Sequence, residues 1–83
     1  MNERELALGR FTILKKQVYE LGVKAQSMTR DIQQETESFL SDKDFSEMDF
    51  KRVEALSKEL QLLQADYKDK VEKMNQLKET FNL

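Results

Sequence analysis

Twice along this chain, apolar residues recur at alternating intervals of four and three positions, and that pattern restricts the fold more than any other feature. The first run is Ala7, Phe11, Leu14, Val18, Leu21, Ala25, Met28 and Ile32, then Glu35, then Phe39; nine of its ten places are apolar. The second is Val53, Leu56, Leu60, Leu63 and Tyr67, then Lys70, then Met74, Leu77 and Phe81, with eight of nine apolar. A mean spacing of about 3.5 residues puts these side chains on one stripe of an α-helix, whereas a half-buried strand needs strict alternation. Held over several heptads, such a stripe is the seam of a coiled coil. The 83 residues contain no Pro, so nothing covalent forces a break within either run. Ala, Glu, Lys, Leu and Arg supply 39 of the 83 residues, close to the share typical of long paired helices.

Between the runs lies Ser41-Asp42-Lys43-Asp44-Phe45-Ser46-Glu47. Asp44 followed by Glu47, and Ser46 followed by Asp49, each match a capping arrangement: a short polar side chain accepts from a free N–H, and an acid three residues on reaches back. The expectation is one domain over residues 1–83, with helix one about 4–40, a loop about 42–46 and helix two about 47–81. If the arms fold back on each other, opposing seam positions have residue numbers that sum to a constant. Ile32 with Leu56, Met28 with Leu60, Ala25 with Leu63, Leu21 with Tyr67, Leu14 with Met74 and Phe11 with Leu77 all sum to 88, and half of 88 is 44, inside the expected loop. The predicted fold is therefore all-α, an antiparallel two-helix coiled-coil hairpin. Five acid-to-Lys pairs at i,i+4 (Glu20–Lys24, Glu47–Lys51, Glu54–Lys58, Asp66–Lys70 and Asp69–Lys73) support the helices by about 0.2–0.5 kcal/mol each.

One hairpin leaves both flanks of its seam open, and a small scaffold without disulfides or metals commonly finds the missing burial by association. The flanks are not alike. Helix-one positions beside the seam on one side read Leu8, Thr12, Lys15, Tyr19, Gly22, Gln26, Thr29, Gln33, Thr36 and Leu40, with a single charge, while the other side includes Arg10, Lys24 and Asp31. Across the hairpin, the weakly charged flank continues through Phe50, Ser57, Gln64 and Val71. A weakly charged strip beside an apolar seam suits a bundle contact. The expectation is a homodimer that forms a four-helix bundle through this flank, with Tyr19, Gly22, Thr29, Phe50 and Val71 at or near the contact. The plainer reading of the same strip is a solvated polar face with a few stray apolar residues. Gly22, in mid-helix, costs about 0.8–1.0 kcal/mol relative to Ala, which suggests close approach of another helix. Gly9 lies at an outer position and carries no such expectation.

Chemistry finds little purchase. With no His and no Cys, the chain lacks the commonest general base and every thiolate. Its serines and threonines have no imidazole to activate them. No phosphate-binding glycine loop or nucleophile elbow occurs. The stretch Asp42-x-Asp44-x-Ser46 opens like a calcium loop, but Glu47 stands where Gly is required and Val53 where the bidentate Glu is required. Asp31, Glu35 and Glu59 converge in the hairpin register, yet a bundle metal site of the di-iron kind adds Glu-x-x-His pairs that this sequence lacks. Neither an enzyme, a cofactor nor a small-molecule substrate is expected.

The 14 basic and 16 acidic residues leave a net charge of −2, spread over both halves, so no one-sided basic surface is offered to nucleic acid. There is no apolar run long enough for a signal sequence or a membrane span, and a cytoplasmic setting is the expectation. Phe45, Met48 and Phe50 gather at the turn with Phe39 and Leu40, either as a plug closing the bundle end or as an exposed tip that docks a partner. Lys70 and Glu35 interrupt the seams; a Lys in such a place lays its stem on the core and sends its ammonium toward water. The functional expectation is a non-enzymatic protein–protein interaction or structural module, pairing with itself and with another helical protein. The alternative is a small chaperone or accessory subunit that completes a bundle with a client helix.

Overall fold

A computed structural model describes residues 2–42 and 45–83, with the side chains of 38, 39, 41 and 42 left outside the description. Two long helices form an antiparallel hairpin: α1 spans Glu3–Asp42 and α2 spans Phe50–Phe81, with a short 3₁₀ turn at Phe45–Glu47 before α2. At about 1.5 Å per residue the 40 residues of α1 run about 60 Å. The molecule measures 62 × 16 × 16 Å, so its length is one helix and its thickness one layer.

Both seams face inward as the 3–4 spacing predicts. Every described seam residue of α1 is buried or half-buried, as is every seam residue of α2 except Tyr67. The register holds too. Ala7 shares a groove with Phe81, Ala25 shares one with Leu63, and Tyr67 lies against Gly22, all within a residue of the pairing that sums to 88. The centre of the expected turn, Lys43 and Asp44, and the Phe39 side chain expected in the plug lie outside the described residues.

Both helices begin on a side-chain cap. Asn2 Oδ1 accepts from the Glu5 N–H at 2.8 Å, and Asp49 Oδ1 accepts from the Arg52 N–H at 3.0 Å. Asp49 sits in extended conformation (φ −90°, ψ 90°), as an N-cap must, so α2 starts at Phe50 and not near 47. The residues from Phe45 to Glu47 take the tighter 3₁₀ turn, closed by the Met48 N–H donating to the Phe45 carbonyl at 3.3 Å. α2 ends where Asn82 adopts the left-handed conformation (φ 53°, ψ 53°), and the Asn82 and Leu83 N–H groups both donate to the Lys78 carbonyl. Arg4, in the first turn of α1, then crosses the hairpin: its Nε donates to the Phe81 carbonyl and its guanidinium to the Asn82 carbonyl, each at 3.4 Å. A cation at the negative end of α2 also complements its dipole.

Both seam interruptions are neutralised at the edge of the core. Lys70 lies along the seam, its side chain 22 % exposed, and its ammonium is held by Asp66 one turn earlier. Glu35 reaches across to Arg52 at 3.5 Å, the one inter-helix ion pair among the described residues. Of the five acid-to-Lys pairs, Glu54–Lys58, Asp66–Lys70 and Asp69–Lys73 close.

These contacts set two expectations. Asp49→Ala should lower stability by about 1 kcal/mol, with Asp49→Asn retaining most of it, read from urea unfolding followed by far-UV circular dichroism. Because an unpaired carboxylate beside the seam is the costlier state, Arg52→Ala should destabilise more than the paired change Arg52→Ala with Glu35→Ala, by the same assay.

Candidate functional site

Among the described residues only Ala7 (3 % exposed) and Met28 (7 %) are buried. The reason is geometric: a helix in a two-helix layer has one neighbour, so the sides of each seam residue face solvent. What those sides border decides what the molecule offers.

On the weakly charged flank two grooves, of about 460 and 370 Å³, meet at Gly22 and Tyr67. Tyr67 occupies a seam position but is 41 % exposed. Its ring reaches over Gly22, where a built Cβ would stand 4.0 Å from Tyr67 Cε2. That is ordinary contact distance, so the hairpin itself does not require glycine here. Tyr19, beside the smaller groove, is 73 % exposed. Val71 is half-buried, and Phe50 is exposed at the first turn of α2. Of the residues the sequence singles out for this flank, Tyr19 and Gly22 are brought together; Thr29 stands about two turns up the helix, Phe50 lies toward the turn, and Val71 lies on α2 toward the other end.

The threonines of this flank are less polar than their type implies. Thr12 donates to the Leu8 carbonyl at 2.9 Å, Thr29 to Ala25 at 2.8 Å, and Thr36 to Ile32 and Gln33 at 3.1 Å each. Each hydroxyl is satisfied by its own helix, so covering it would leave no donor unpaired. The opposite flank differs. Its groove of about 540 Å³ is walled by Ile13, Leu14 and Leu77 but rimmed by Arg10 and Lys73, and Lys73 is paired with Asp69 at 3.0 Å. Burying that flank would desolvate fixed charges, a penalty the weakly charged flank largely avoids.

At the turn, the Phe45 and Phe50 rings touch at 5.3 Å between centroids and 45° between planes. Both are exposed, as is Leu40 near the end of α1, and Met48 is half-buried. Met48 therefore packs inward while the two rings form a tilted pair on the surface. Asp31, Glu35 and Glu59 do not assemble into a group able to hold a metal ion among the described residues, and Glu35 takes Arg52 instead. No described helix is long and apolar enough to cross a membrane.

Two functional details escaped sequence reasoning. The Asn2-x-x-Glu5 spacing is itself a capping pattern, visible in the sequence and overlooked beside the stronger turn signals. The placement of the Tyr67 ring over Gly22 had no sequence signal. No protein-family model matches the chain, and neither a curated protein nor a solved structure matches it.

If the ring pair at the turn serves recognition and not folding, Phe45→Ser with Phe50→Ser should leave helicity intact. The loss of stability should stay within the about 0.5–1.5 kcal/mol typical of an aromatic pair. Circular dichroism and urea unfolding check this; collapse of the helical signal would assign the rings to the core.

Proposed function

We propose that this chain is a non-enzymatic interaction module whose working form is a four-helix bundle of two copies, joined through the weakly charged flank. The observation that carries this reading is surface area. The chain exposes 6755 Å², against about 5,200 Å² for a compact monomer of its mass. The surplus of about 1,600 Å² is roughly twice what each partner contributes to a stable protein–protein interface. A hairpin that buries two side chains among its described residues has little to lose and much to gain by covering a flank, and the flank with grooves at Gly22, self-satisfied threonines and few charges is the cheaper one to cover.

Within the bundle Gly22 and Tyr19 do the work that the solitary hairpin does not ask of them. A glycine lets a second helix approach without a Cβ in the way, and Tyr19 supplies a large, stiff contact with a polar end. Phe50, at the turn end of the same flank, lies at the edge of this contact, and the Phe45 ring against it is offered to a different helical protein.

Sedimentation equilibrium at tens of micromolar should return twice the 9.8 kDa chain mass, and the melting temperature should rise with protein concentration. Gly22→Leu should weaken association while leaving the hairpin helical. A particle of single-chain mass at those concentrations would overturn the proposal. Gain of order only in the presence of another helical protein would favour an accessory subunit that completes its bundle with a client.

A further inference from the structure

The weakly charged flank is electrically lopsided along its length, and the imbalance fixes how a second copy sits on it. Gly22 marks the middle of α1, and in the hairpin register it is level with Asp66 on α2. Within the described helices, the flank's one charged residue on the turn side of that level is Glu54; on the far side they are Lys15, Lys68 and Lys78 with one acid, Glu5. All five are exposed. The strip is thus net negative toward the turn and net positive toward the chain ends.

We infer, resting on the dimer reading above, that the second copy docks head to tail on this flank, its turn at the opposite pole, about a two-fold axis crossing the long axis near Gly22. That axis sets α1 against the partner's α1 and α2 against the partner's α2, each antiparallel. Glu54 and Lys78 are equidistant in sequence from Asp66, so Lys78 of each copy meets Glu54 of the other, and the pair forms twice by symmetry. Glu54 already accepts from Lys58 at 3.1 Å on its own helix, leaving its carboxylate placed for a second cation. Turning the second copy so that both turns share a pole would set α1 against the partner's α2, with Lys15 of each copy beside Lys68 and Lys78 of the other and Glu54 facing no flank lysine. Like charges juxtaposed across an interface select against that arrangement.

The sequence has no Cys, so one introduced thiol carries a unique label. Lys51→Cys, spin-labelled on the outward face near the turn, should give a label separation of about 45 Å or more by pulsed dipolar spectroscopy, from twice the rise between Lys51 and the central level. In sedimentation, Glu54→Lys and Lys78→Glu should each weaken the dimer about tenfold, and the double reversal should restore it to within about threefold. A separation under about 30 Å would overturn the head-to-tail arrangement, and a double variant weaker than either single would remove the Glu54–Lys78 pairing. Failure of the unaltered chain to dimerise would instead sink the underlying reading, and sedimentation reports that separately from the distance.

Discussion

Everything in this molecule follows from a single contact, the strip along which α1 and α2 lie against each other. Two helices share one line of neighbours, and a line cannot enclose a side chain. The apolar stripe runs the length of both arms, yet among the described residues only Ala7 and Met28 disappear from solvent. Ala7 does so because a methyl facing Phe81 is small enough to be covered from one side. Larger seam residues keep an open edge, and the character of the two flanks at those edges becomes the chemical identity of the protein.

The polar residues are arranged to protect that contact. Lys70 and Glu35 enter the seam where an isolated charge would be costly, and each is met by an opposite charge, Asp66 in one case and Arg52 in the other. Both ion pairs lie on the same, more highly charged flank. The other flank is freed of such demands, and its threonines close their hydroxyls onto their own helix. The asymmetry visible along the sequence is thus sharpened in three dimensions: one side is laced with paired charges, the other carries few charges and hydroxyls already satisfied.

The hairpin and its register were legible because a 3–4 repeat leaves no freedom: one face must turn inward, and a mirror about the turn is the simplest way for two such faces to meet. Residue-level features were less so. Asp44, Ser46 and Asp49 all carry good capping side chains within six positions, and local propensity cannot rank them; the 3₁₀ turn at Phe45–Glu47 moves the helix start onto Asp49. Tyr67 follows the heptad rule by position yet stays exposed over Gly22, a side-chain placement that a binary apolar pattern does not record. The flank residues Tyr19 and Gly22 could be picked from position alone, but that Gly22 is shelf to the Tyr67 ring required coordinates.

The clasp formed by Arg4 on the Phe81 and Asn82 carbonyls brings the opening turn of one arm beside the closing turn of the other. Residues 2 and 83 therefore emerge from the same pole. A short flexible peptide joining them, with the backbone severed at the bend instead, would give a circular permutant with the same helix pairing. Cargo attached to either terminus would hang some 60 Å from the Phe45–Phe50 rings, clear of whatever meets them.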